Sequence, residues 1–284
     1  MGKNLRWPDF IIGGAPKCGT SSLYFWLSAH PEICGSKLKE TFFFADEVNR
    51  FNQQANIIEK PIEEYCRYFT HCPAHTKAFE ATAHYLYYDN ARIMLKDLPT
   101  KPKMIFIFRE PAAQMYSHYR MVRYRIKTYQ GTFKDYVDNK DTWFYIEYAK
   151  YLKPWLKEWG ADRIKVLLFE ELMSSKEKTM CDIAEFLEVD PAFFKSFDFE
   201  HRNETVAIKS SFLHKLGLRL QPLIGHRLQK LLLPLYLKIN SSDLKGKTDE
   251  ERQSLQSFKP VSERITRELQ ELLPELDLSY WDKR

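Results

Sequence analysis

The stretch Asp9-Phe10-Ile11-Ile12-Gly13-Gly14-Ala15-Pro16-Lys17-Cys18-Gly19-Thr20-Ser21-Ser22 constrains the fold more than any other part of the 284 residues. An apolar run ends in paired glycines, and a short loop then carries one lysine. Hydroxyl residues open a segment, Ser21 to Ala29, in which Leu23, Tyr24, Trp26 and Leu27 share a helical face until His30-Pro31 stops it. The pattern predicts strand, tight turn, helix. Lys103 to Phe108 (KMIFIF) repeats the unit with a wholly apolar run, followed by Arg109-Glu110-Pro111 and a helical stretch to about Lys127. Ile164 to Phe169 (IKVLLF) is a third such run, preceded by a helix over 145–159 and followed by Glu170-Glu171-Leu172 and a helix over 176–187. Strands alternating with helices predict an α/β fold with a central parallel sheet flanked by helices. Without an internal repeat or a Pro/Gly/Ser linker, the reading is one domain over 1–284, with 210–256 as a polar helical cap.

A strand-to-helix turn of this kind aims successive backbone N–H groups and a helix N-terminus at one point, which favours phosphate or sulfate. Its frame is close to the Walker A pattern GxxxxGK[ST], but Thr20 stands where the lysine belongs, and the lysine is Lys17, inside the loop. A magnesium-dependent kinase also wants an acid near the phosphates. Here KMIFIF ends in Arg109, which leaves Glu170, after VLLF, as a substitute, and a P-loop kinase as the lesser alternative. Arg109 follows a parallel strand, where open α/β sheets bind ligands, and its fork can grip a phosphate through two N–H groups. Ser117, eight residues on, adds a hydroxyl on the next helix.

Together GAPKCGTSSL and FREPAAQMYSHYRM resemble the PAPS-dependent sulfotransferases, which use 3′-phosphoadenosine 5′-phosphosulfate as donor and release PAP. The resemblance covers roughly residues 9 to 210 and implies a P-loop-NTPase-like fold that requires no metal. It puts Pro16, Lys17, Cys18, Gly19, Thr20, Ser21 and Ser22 at the 5′-phosphosulfate, and Arg109 and Ser117 at the 3′-phosphate. A looser likeness of residues 201–211 to the loop closing over that phosphate adds Lys209. Lys39-Glu40-Thr41-Phe42-Phe43-Phe44 is similar to the heparan-sulfate-type branch, whose glutamate before paired phenylalanines is the general base, here Glu40. Phe79-Glu80-Ala81-Thr82-Ala83-His84-Tyr85 resembles that branch's acceptor segment, so Phe43, Glu80, Thr82, His84 and Tyr85 join Glu40 as acceptor-binding candidates, with Glu80 and His84 as rival bases. The chain departs from that branch in two ways: it shows no membrane anchor, and no cysteine follows Cys181 to form a C-terminal disulfide loop. Sulfuryl transfer itself asks for a base on the acceptor and a cation on the leaving phosphate. Glu40 and Lys17 are the residues that answer.

Forty-three Lys plus Arg against thirty-eight Asp plus Glu argue against a polybasic nucleic-acid binder. Leu231 to Leu237 is broken by Pro234 and is far shorter than the roughly 20 residues that span a bilayer. Five cysteines, at 18, 34, 66, 72 and 181, are odd in number and lack CxxC spacing. The expectation is therefore no disulfide framework, no zinc site and a reducing cytoplasm. Aromatic residues make up 15% of the chain, and Glu40, Asp46, Glu47, Glu80 and Asp89 outnumber the cations of the acceptor segments. This favours a neutral or cationic small-molecule acceptor, such as a natural product or alkaloid, sulfated on O or N. Carbohydrate and lipid acceptors are the alternatives.

Overall fold

Phe10, Ile11 and Ile12 are buried on both faces, as the apolar run requires, and they form the centre of strand β1 (Phe10–Gly14). The computed structural model describes residues 5–49, 52–199, 207–208, 241–242 and 246–282, with 207–208 and 241–242 described by backbone alone. β1 leads into helix α1 (Thr20–Ser28) and then β2 (Ile33–Gly35) and β3 (Lys77–Ala81). Helix α2 (Asp89–Lys96) precedes β4 (Lys103–Phe108), which continues into α3 (Pro111–Arg120). Further on come α4 (Phe133–Asp138), α5 (Tyr148–Trp159), β5 (Ile164–Leu168), α6 (Phe169–Ser174), α7 (Lys176–Leu187) and α8 (Ala192–Lys195). The two-residue strands β6 (Ala207–Ile208) and β7 (Ser241–Ser242) pair antiparallel, and α9 (Asp249–Leu272) follows.

The main sheet runs β2-β3-β1-β4-β5 and is parallel throughout, with Ile11 opposite Glu80 on one side and Met104 on the other. Parallel strands deliver all their carboxyl ends to one edge. The order reverses at β1, so the crevice beyond that strand is where a ligand fits an open sheet of this type. Ring packing fills the layers against the sheet: Phe10 on Phe79 at 4.6 Å, Phe108 on Tyr148 at 4.4 Å and Phe106 on Trp155 at 5.2 Å.

The described residues divide into two compact units. The first, from Met1–Gln114, Phe144–Arg202 and Val261–Arg284, contains the parallel sheet. In the second, from Met115–Trp143 and Asn203–Pro260, α3 passes at Met121–Ile126 into a π-helical turn that ends at Lys127 in the left-handed region. The helix expected to run to about Lys127 therefore stops being α-helical at Arg120. Thr132 and Asp135 cap α4 reciprocally, and the Tyr116 hydroxyl donates to Glu251 at 3.0 Å. Lys209 lies outside the described residues, as do 210–240 and 243–245 of the expected cap.

One expectation is overturned. Cys34, in β2, and Cys72, in the loop before β3, form a disulfide with Cα atoms 5.6 Å apart. Their separation of 38 residues carries no spacing signal; it is the pairing of β2 with β3, Cys34 opposite Ala78, that brings them together. Among the described residues no helix is long and apolar enough to cross a membrane.

Candidate active site

The loop between β1 and α1 is held from three directions. Ala15 N–H donates to Ile107 O at 2.8 Å, the Gln114 side-chain amide donates to Pro16 O at 3.0 Å, and Arg109 Nη1 donates to Lys17 O at 3.3 Å. The backbone turns sharply at Lys17, with φ +67°, and at Gly19, with φ +94°. A non-glycine residue in the left-handed region costs on the order of 1–3 kcal/mol and persists where the surroundings over-determine it. Those three hydrogen bonds are such surroundings. At Gly19 a Cβ would come 2.8 Å from the Phe169 ring. The Arg109 guanidinium stacks on that same ring at 4.5 Å, and Tyr148 donates to Arg109 O at 2.9 Å.

Gly19 stands at the N-cap of α1, where no side chain caps the helix and no acid occupies its first turn. The positive end of the helix is thus presented toward the loop with Lys17 half-exposed beside it. Thr20 and Ser22 are buried and Ser21 is half-buried. Cys18 is fully buried, and burial pushes its thiol up to about 12, so it packs as a small protonated filler. Glu170, the acid a magnesium site would need, is buried and otherwise engaged: it accepts from the Trp281 indole at 2.9 Å and from the Glu110 amide at 3.4 Å. Glu110 in turn caps α3, accepting from the amides of Ala112 and Ala113.

On the other side of β1, the segment after β2 is fastened to the end of β3. Ala81 N–H donates to Lys39 O at 3.1 Å, and Thr41 N–H donates to Thr82 Oγ1 at 3.0 Å, so the backbone on both sides of Glu40 is fixed. The Glu40 side chain is 38% exposed and pairs with Lys39 Nζ at 2.9 Å. Beneath it Glu80 is fully buried and accepts from Thr82 Oγ1 at 2.8 Å, Thr41 Oγ1 at 2.9 Å and the Tyr65 hydroxyl. Burial pushes its carboxyl above the ordinary range, and these hydroxyl donors pull it partly back. Tyr85 completes the cluster, its hydroxyl 3.0 Å from Thr41 Oγ1.

Phe43, Glu80, Thr82 and Tyr85, four of the residues expected along the acceptor, have no exposed surface and pack beneath Thr41. His84 differs. It is half-buried, with Phe42, Tyr88 and Tyr145 around its ring at 5.3, 6.5 and 6.4 Å, and its Nδ1 is enclosed without a hydrogen-bond partner among the described residues. Burial lowers its affinity for a proton; the nearby Glu40 carboxylate raises it and Lys39 opposes that. Ser117 is half-buried on the part of α3 that belongs to the second unit, where the neighbouring His118 is buried against Tyr136, to which it is hydrogen-bonded. Sequence reasoning missed Gln114, Phe169 and Tyr148. Gln114 carried a usable signal, an amide among small residues just inside a helix, whereas an aromatic ring that supports an arginine has none.

The sheet edge thus carries a cation, an uncapped helix start and a stacked guanidinium on one side of β1, and a clamped carboxylate on the other. Residues 7–214 match the sulfotransferase domain family. The chain belongs to that family. The sulfotransferase is 27% identical over 203 residues to mouse bifunctional heparan sulfate N-deacetylase/N-sulfotransferase 4, an alignment covering 66% of this chain and 23% of the mouse protein. It is 31% identical over 121 residues to human bifunctional heparan sulfate N-deacetylase/N-sulfotransferase 3, covering 42% of this chain and 13% of that protein. Among solved structures, a sulfotransferase from Alicyclobacillus acidocaldarius superposes with a TM-score of 0.60 at 25% identity, over 80% of this chain and 96% of that one. The chain therefore spans about a quarter of the mouse relative's length and nearly all of the solved Alicyclobacillus chain.

Proposed function

We propose that the protein transfers a sulfuryl group from PAPS to a hydroxyl or amine of a small neutral or cationic acceptor. The observation that carries this reading is the β1–α1 loop: an uncapped helix start, Lys17 beside it, and Arg109 holding Lys17 O. The donor set suits a phosphosulfate, because a lysine and a helix N-terminus stabilise negative charge as it gathers on a departing phosphate. In this reading Lys17 neutralises the leaving oxygen and Glu40 takes the acceptor's proton. Gly19, Thr20, Ser21 and Ser22 hold the 5′ end, while Arg109 holds the 3′-phosphate. Pro16 and Cys18 complete the loop around the 5′ end.

The acceptor side supports the choice of acceptor class. Phe42, His84, Tyr88 and Tyr145 are aromatic rings near carboxylates at Glu40, Asp46 and Glu47, surroundings that repel a polyanion and suit a flat or positively charged molecule. The test is thermal stabilisation by 3′,5′-ADP without magnesium, followed by transfer of radiolabelled sulfate from PAPS to a metabolite panel. Stabilisation by the nucleotide and labelling of aromatic alcohols or amines are expected. Stabilisation only by ATP with magnesium overturns the donor assignment, and labelling confined to anionic polysaccharides overturns the acceptor class.

A further inference from the structure

The disulfide brings a third group with it. His71 Nε2 lies 3.7 Å from Cys34 Sγ and 3.9 Å from Cys72 Sγ, while donating to Gly35 O at 3.1 Å. These three ligand atoms form the group that could hold a metal ion among the described residues. A tetrahedral zinc with two thiolates and one imidazole places nitrogen and sulfur ~3.5 Å apart and the two sulfurs ~3.8 Å apart. The imidazole is already near that distance from both sulfurs, and only the sulfurs must part.

We propose that, once the Cys34–Cys72 bond is reduced, Cys34, Cys72 and His71 bind Zn2+ and that the metal takes over the disulfide's role as a staple. A dithiol reductant gives two electrons and two protons to the bond, leaving two thiols on the protein and a disulfide on the reductant. Zinc then displaces both thiol protons into solvent, and His71 turns from donor to ligand by carrying its proton on Nδ1. Three protein ligands leave the fourth position to water. The two states are mutually exclusive, and each ties β2 to the loop before β3. That tie matters for the site because Cys34 lies six residues ahead of Glu40. The chain thus has one cross-link for an oxidising environment and another for a reducing one.

The test titrates Zn2+ into full-length protein reduced with a phosphine, in competition with a chromophoric chelator, and repeats the titration with Co2+. The expected result is one equivalent bound by the reduced protein and none by the oxidised protein, with a thiolate-to-cobalt charge-transfer band. Cys181→Ala should retain the site. Cys34→Ser/Cys72→Ser should abolish it, and His71→Ala, which leaves the disulfide intact, should weaken zinc binding by at least the ~10–100-fold that losing a mere outer-shell partner costs. Reduction should lower Tm by on the order of 10 °C, and zinc should restore most of it. Unchanged binding in the double serine variant overturns the proposal. So does a reduced protein that binds no zinc, or one that binds it without recovering Tm.

Discussion

Replacing Glu80 separates the floor of the site from its chemistry. The side chain is fully buried and accepts from three hydroxyls, and the Thr41 amide lies within 3.4 Å. Glu80→Ala leaves those donors facing a cavity. Each orphaned buried group costs about 1–3 kcal/mol, and the Thr41 and Tyr85 hydroxyls can partly satisfy each other. The expected loss is about 3–5 kcal/mol, or a Tm lower by roughly 10 °C for a chain of this size. Glu80→Gln keeps the shape, and rotating hydroxyls can serve its amide, so it costs about 1 kcal/mol. The pH profile gives a second reading. A carboxyl whose pKa is raised by folding adds stability that is full below the unfolded value, near 4.5, and is lost as pH rises through the folded value. Wild-type stability should carry that decline and Glu80→Gln should lack it, measured by urea midpoints between pH 4 and pH 9, a window of about 5 units. In sulfate transfer Glu80→Gln should keep kcat within a few-fold, while Glu40→Gln loses about 100-fold to 1000-fold with Tm unchanged. If Glu80→Gln loses as much turnover as Glu40→Gln while remaining folded, the division into floor and base is wrong.

Three further expectations follow from the donor side. Gly19→Ala forces a side chain into a left-handed position 2.8 Å from Phe169, so it should cost about 2 kcal/mol in urea denaturation and raise KM for the donor; an unchanged midpoint refutes the steric argument. Arg109→Lys loses the stacked fork and should weaken 3′,5′-ADP binding by about tenfold to a hundredfold in calorimetry, and unaltered affinity would remove Arg109 from the site. The Cys18 thiol, held at about 12, should resist alkylation at pH 8 in the folded enzyme, and Cys18→Ala should stay active; rapid labelling of Cys18 refutes this.

The residues that could be read from sequence are those whose pattern is local. KMIFIF and the helix over 176–187 match β4 and α7 residue for residue because unbroken apolar runs and helical periodicity are one-dimensional signals. β2 and β3 escaped notice: one is three residues long, and the other carries a glutamate at its core. That glutamate also shows why the burial of Glu80, Thr82 and Tyr85 could not be read from their segment alone. Exposure depends on what packs above a residue, and here that is the segment from Glu40 to Phe44, some forty residues earlier in the chain. The Cys34–Cys72 bond was hidden for the same reason, since only the pairing of two short strands brings the thiols together.

The strand order has a consequence for how such a protein diversifies. The loop carrying Lys17 leaves β1 and Arg109 follows β4, whereas Glu40 and His84 follow the ends of β2 and β3. The two halves are joined along β1 and again where the Trp155 and Trp159 indoles donate to Leu86 O and Arg92 O and the Tyr87 hydroxyl donates to Tyr145 O, and the segment after β2 is fastened to the end of β3 by Ala81 N–H donating to Lys39 O. Side chains after β2 and β3 that take no part in these contacts can therefore vary while the loop between β1 and α1 keeps its own hydrogen bonds to Ile107, Gln114 and Arg109. The sheet is in this sense a socket with one contact fixed by backbone hydrogen bonds and another whose side chains can change.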